Sequence, residues 1–182
     1  MNIRDEKLFK KLQIYFEMGQ SIAIINPIDA HTKRIVQFFE KEILKSSDVI
    51  YVDFNAIKEP CDLAKIILKQ CKKIMSKYPY ISIDTSTINY SSDYQCLDRT
   101  LNLSQEIAEQ INKDITFISK NYTNVLILEE GKRIQKHMRS IFQRQHNVYC
   151  IFTGDNQDSL NKIFMDSSAP FLRFAEIIDT TK

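Results

Sequence analysis

The chain has 182 residues, 43% of them hydrophobic and 26% charged, with a formal net charge of +2. That length and balance fit one globular domain with a sizeable core. No apolar run approaches the ~18 residues that cross a bilayer, so no membrane span is expected, and so small a net charge argues neither for nor against nucleic acid.

The opening residues, MNIRDEKLFKKL, are charged from the start and do not read as a signal peptide. Residues 5–18 place Leu8, Leu12, Tyr15 and Phe16 at helical spacing, and Gly19 follows as a C-cap. SIAIIN reads as a short buried strand, residues 31–45 as a helix with Ile35, Phe39 and Ile43 on one face, and DVIYVDF (48–54) as a second strand. Asp53, at its end, reads as a cap. Residues 62–76 carry Leu63, Ile67, Cys71 and Ile74 in helical register. The Ser-, Thr-, Tyr- and Asn-rich stretch 77–103 has no sustained period and reads as a long loop or insertion whose tyrosines suit a binding surface. A helix is expected over 104–120, capped by Ser104 and striped by Ile107, Ile111, Ile115 and Ile118. NVLILEE (124–130) reads as a third strand, 132–145 as a basic amphipathic helix carrying Ile134, Met138 and Ile141, and VYCIFTGD (148–155) as a fourth strand. SLNKIFM then forms a short helix and AEIIDT (175–180) a fifth strand.

Apolar strands alternating with amphipathic helices predict a parallel sheet covered on both faces, a three-layer α/β/α sandwich in one domain over 1–182. The four cysteines, Cys61, Cys71, Cys96 and Cys150, form no CxxC pair and read as reduced structural thiols of a cytoplasmic protein. His31, His137 and His146 share no metal-ligand spacing with them, so no metal site is expected.

The strand and turn near Asn26, the segment VIYVDFN, the acidic pair closing NVLILEE and the run KIFMDSSAPF (162–171) together resemble the archaeal-type ATPases, P-loop NTPases related to the AAA+ and STAND ATPases. The resemblance covers most of the chain and implies a five-stranded sheet of order 5-1-4-3-2. It also implies where the chain departs from its pattern. The family's phosphate loop looks like G-P-x-x-x-G-K-T. Aligned on Pro27, this chain has Asn26 and His31 at the glycine positions, Thr32 at the lysine position, Lys33 at the hydroxyl position and Asp29 beside the phosphates. Such a loop wraps phosphates with backbone N–H groups, so side chains at its glycines obstruct the approach. A one-residue shift also turns a helical side chain by ~100°.

At the Walker B strand the resemblance puts Glu129 at the Mg²⁺-binding Asp and Glu130 at the catalytic Glu, and PFLRFAE replaces P-F-x-G-R-A-E, with Arg173 and Phe174 standing for Gly-Arg. No helical lid and no winged-helix domain is expected within the chain. These departures predict an ATPase-fold protein without catalytic residues or cofactor, a pseudo-ATPase acting as a protein-interaction or adaptor module. The alternatives are an atypical ATPase using ATP and Mg²⁺ through Lys33 and Glu130, and a nucleic-acid-associated AAA+-like protein. For the last, and for a protein partner, the candidate contacts are Lys132, Arg133, Lys136, Arg139 and Arg144.

Overall fold

The structure is a computed structural model describing residues 3–25, 30–86, 88 and 93–179. Helix α1 (Ile3–Glu17) ends at Gly19, which takes the left-handed conformation (φ 67°) that closes a helix without Cβ strain. Strand β1 (Ile22–Ile25) follows, then α2 (Ala30–Ser46), β2 (Asp48–Asp53), a 3-10 turn at Phe54–Ala56 and α3 (Pro60–Met75). Next come α4 (Asp93–Ile111), β3 (Ile115–Lys120), a 3-10 helix at Tyr122–Ile127, α5 (Gly131–Phe142), β4 (Val148–Gly154), α6 (Gln157–Phe164) and β5 (Glu176–Ile178).

All strand pairings are parallel, in the order β2-β3-β4-β1-β5. This is the 5-1-4-3-2 order implied by the resemblance. Successive strand side chains point to opposite faces, and both faces are covered. Ile22, Ile24, Ile118, Ile151 and Ile178 pack under Leu12 of α1 and Val36, Phe39 and Ile43 of α2. Ala23, Ile50, Val52, Phe117, Cys150 and Phe152 face the other way, under α3 to α6. The α3 stripe Leu63, Ile67, Cys71 and Ile74 is buried as expected, and all four cysteines are buried thiols.

Three expectations from the sequence are corrected. The segment 77–103 is not irregular throughout, because α4 begins at Asp93 and buries Cys96, Leu97, Leu101 and Leu103. Its apolar stripe starts two turns before Ser104. That serine is no cap; it lies inside the helix, buried, with its hydroxyl donating to the Leu101 carbonyl at 2.6 Å. Second, the helix does not run to residue 120. It stops at Ile111, Asn112 turns left-handed (φ 50°), and Ile115–Lys120 forms the third strand. The 4-4-3 spacing of Ile107, Ile111, Ile115 and Ile118 imitates one helical stripe, but 115–119 is rich in β-branched residues and lies across a turn from it. Third, 124–130 is not a strand, because the sheet position assigned to it is filled by β3. Tyr122–Ile127 is instead wound as a 3-10 helix, leaving Ile127 83% exposed. Gly131 locks this turn to α5: a Cβ there would stand 1.8 Å from the Val125 carbonyl oxygen.

Among the described residues no helix is long and apolar enough to cross a membrane.

Candidate functional site

Strands β1 and β4 lie side by side, yet the chain leaves β1 into α2 on one face and β4 into α6 on the other. Such a reversal opens a crevice at the carboxyl ends of the strands, where open α/β sheets bind ligands. The phosphate-loop positions belong to the sequence that links β1 to α2. Asn26, Pro27 and Asp29 lie outside the described residues. His31, Thr32 and Lys33 occupy the first turn of α2, and their side chains also lie outside the described residues.

The neighbouring strand tips are described, and they are tied to one another. Asn121, left-handed at φ 52°, donates its side-chain amide to Asp53 Oδ1 at 2.9 Å, and its backbone N–H donates to Thr153 Oγ1 at 3.1 Å. Asp53 also accepts the Asn55 N–H at 3.0 Å, which makes it the expected cap of the 3-10 turn. Beyond them Asn124 donates to Asn55 Oδ1 at 2.6 Å, and Asp155 N–H donates to Thr123 Oγ1 at 3.4 Å. Three strand ends are thus cross-linked by short polar side chains.

The end of β3 carries no carboxylate. Its apolar run Ile115–Ile118 is followed by Ser119 and Lys120. Ser119 is fully buried and its hydroxyl finds no partner among the described residues. Lys120 is exposed and lies close enough to α2 to act on Glu40. Burial pushes the Glu40 carboxyl above its ordinary pKa, and the Lys120 charge opposes that rise.

Glu129 and Glu130 are therefore not at a strand end. Glu130 is the N-cap of α5 and accepts the Tyr94 hydroxyl of α4. Arg133 lies over the Tyr94 ring at 4.1 Å, His137 stacks on Tyr94 at 4.3 Å, and His137 Nδ1 is 2.8 Å from Asp98 Oδ1. This cluster fastens α4 to α5. Glu129 lines a pocket of about 230 Å³ with Lys132, Gln135, Lys162 and Asp166. Lys132, Lys136 and Arg144 are exposed, whereas Arg139, in the last turn of α5, is half-buried. Sequence reasoning missed Lys120 and Asn121 because it placed them in a helix and the loop beyond it. The signal that could have found them is the β-branched segment ITFIS following the turn residues Asn112, Lys113 and Asp114.

No protein-family model and no curated protein matches the sequence. Solved structures do resemble it. The Walker-type ATPase paby2304 of Pyrococcus abyssi superposes with a TM-score of 0.71 at 14% identity, over 96% of this chain and 52% of that one. The ORC2 protein of Aeropyrum pernix in its ADP form gives 0.61 at 11% identity, over 98% and 48%. The ORC1 protein of the same organism, in complex with DNA, gives 0.55 at 11% identity, over 97% and 45%. This chain spans about half the length of those it matches. At such identities the likeness carries the architecture alone, and that architecture is the P-loop ATPase fold of archaeal Walker-type and Orc/Cdc6 proteins.

Proposed function

We propose that the chain is a pseudo-ATPase: it keeps the ATPase fold without catalysis and acts as a protein-interaction or adaptor module, with no nucleotide cofactor. The observation that carries this reading is the end of β3. Nucleotide hydrolysis on this fold needs Mg²⁺, held by the phosphate-loop hydroxyl and a carboxylate at the tip of the Walker B strand. Ser119 and Lys120 stand there instead. A lysine charge repels a divalent cation, and a serine hydroxyl is a far weaker ligand than a carboxylate. The phosphate-loop positions Asn26, His31, Thr32 and Lys33 point the same way, since glycine, lysine and hydroxyl are all displaced. The cross-linked strand tips supply a further argument, because Asn121 ties Asp53 to Thr153 across the ends of three strands.

The test is a titration with Mg²⁺-ATP, read as thermal shift and phosphate release. An intact site at ~100 times its dissociation constant adds about 2.7 kcal/mol of stability. The expected result is no Mg²⁺-dependent shift and no turnover. Turnover lost on Lys33→Ala would overturn the reading.

A second reading, nucleic-acid association, is favoured by one feature. Lys132, Arg133 and Lys136 of α5, with Arg144 just beyond it, are all exposed, and the ORC1 protein sharing this fold is solved in complex with DNA. Steeply salt-dependent binding to DNA, weakened by Lys132→Ala and Lys136→Ala, would support it.

A further inference from the structure

At the amino end of the sheet, opposite the crevice, a groove of about 810 Å³ opens between the end of α5 and the approach to β5. Its walls include Arg139, Phe142, His146, Tyr149, Arg173 and Phe174, with Glu176 as the carboxylate on the rim. The Arg139 guanidinium carbon lies over the Phe174 ring, 4.6 Å from its centroid, and Phe174 stacks in turn on Phe142 at 6.4 Å and 23°. Stacking of this kind fixes the guanidinium as a planar fork of N–H donors. No carboxylate or carbonyl among the described residues accepts from it. Burial alone holds its pKa below the ordinary arginine value, as happens to a partly desolvated cation lacking a counter-charge.

Arg173 is the second unusual group. It has φ 53°, and its N–H donates to the Phe164 carbonyl at 2.8 Å. Glycine adopts that conformation freely and a long side chain does so at a cost. Arginine stands at the position where the resembled pattern reads glycine, in a backbone conformation that suits glycine. The terminal carbonyls of α5 would favour one cation through the helix dipole, and Arg139 in its last turn meets that demand. They do not account for Arg173, which comes from a different segment and lines the same groove.

We propose that this basal groove binds a phosphate-bearing ligand, with Arg139 as the bidentate fork and Arg173 as the second cation. Two arginines suit a phosphate monoester, which carries close to two charges at neutral pH. The groove volume, within the range of small-molecule sites, accommodates more than the bare anion. That double charge favours a small monoester over a nucleic-acid backbone, whose diesters carry one charge each.

The experiment is a calorimetric titration of the full chain with inorganic phosphate, without Mg²⁺ and without nucleotide. The expected result is saturable binding, weakened about tenfold or more by Arg139→Gln, since hydrogen bonds between charged groups are worth that much. Arg173→Gly is the decisive variant. It relieves the left-handed strain, so Tm is expected to stay or rise while phosphate binding weakens. Glycerol 3-phosphate and a single-stranded oligonucleotide then compete against phosphate: displacement by the first assigns a small monoester, and displacement by the second a nucleic-acid backbone. Absence of phosphate binding, or wild-type binding by either variant, overturns the proposal. Its failure leaves the reading of the crevice untouched, and Mg²⁺-dependent turnover would overturn that reading without bearing on this groove.

Discussion

Two polar clusters, one at each end of the sheet, differ in how their groups are satisfied. At the carboxyl end, where the fold places chemistry, Asp53, Asn121, Thr123 and Thr153 are hydrogen-bonded among strand tips. At the amino end Arg139 holds its donors over an aromatic ring with no acceptor among the described residues, and Arg173 sits in a backbone conformation better suited to glycine. Polar groups that satisfy each other need no ligand, whereas those left without partners mark where one would lower the free energy. Ser119 Oγ is the exception at the carboxyl end; apart from it, the crevice that the fold opens and the groove that leaves Arg139 without an acceptor among the described residues are different places on the sheet. An aromatic ladder joins them: Phe54 meets Tyr122 at 4.7 Å, Tyr122 meets Phe171 at 5.8 Å, and Phe171 meets Phe174 at 5.1 Å.

The largest effect should come from cutting that ladder. Tyr122 is fully buried beneath the strand tips, so Tyr122→Ala is expected to cost about 3–5 kcal/mol in urea unfolding. Hydrogen exchange should quicken first at residues 121–124. Tyr122→Phe should cost far less, since the hydroxyl reaches only Met138 Sδ at 3.9 Å. Equal losses in the two variants would mean that the hydroxyl, rather than ring packing, holds the upper end.

A smaller effect separates the two roles of Asn121. Asn121→Ala loses the bond to Asp53 and puts a plain Cβ in the left-handed region, with an expected cost of about 1–2 kcal/mol. Asn121→Gly loses only the bond and should recover a good part of that cost. If alanine and glycine proved equally harmful, the side-chain bond would be the whole contribution.

The sequence made the sheet legible and the strand tips illegible, for a physical reason. Strands such as β1 and β4 are short apolar runs bounded by turn residues and followed by amphipathic helices, and that context is what marks them as strands. The helix stripes of α3 and α5 were equally plain, and the strand order followed from the resemblance. At 104–130 two segments competed for one place in the sheet. NVLILEE is more apolar than ITFISK, but Gly131 pressed on the Val125 carbonyl and Tyr122 buried under the strand tips favour a 3-10 turn there. These are tertiary constraints that no local window contains. The misplacement moved the acidic pair from the α5 N-cap to a strand end. The basal groove was harder still, because nothing in the residues FLRFAE reveals that Arg173 has a positive φ.

At the amino end, Asp48 opens β2 and is buried. Burial pulls its carboxyl up, but hydrogen bonds from Lys77 Nζ and the Tyr78 hydroxyl, both at 2.6 Å, with the charges of Lys77 and Lys113, hold it below the ordinary value of 3.8. The same bond pushes the Tyr78 hydroxyl up to about 12. A depressed carboxyl pKa contributes stability that is present above the unfolded value and lost as pH falls through the folded one. The Tm should therefore drop as pH falls below 3.8. Asp48→Asn should be less stable than wild type at pH 7 and should lack this part of the acid dependence.

The smallest expected effect returns to the carboxyl end and has the opposite sign. Burial raises the Glu40 pKa above 4.5, with Lys120 opposing. A carboxyl raised in the folded state is penalised when ionised, so the penalty is present at neutral pH and fades as pH falls through the folded pKa toward 4.5. Glu40→Gln should therefore raise Tm slightly at pH 7, and the gain should vanish at pH 4. Lys120→Ala should lower Tm at pH 7 in the wild-type background and lose most of that effect beside Glu40→Gln, a coupling that a double-mutant cycle reads directly. If the two substitutions were instead additive, Lys120 would not act on α2. Lys120 would then serve α2 in no way that the stability of the fold reads, and its place at the tip of β3 would bear only on what that strand end can hold.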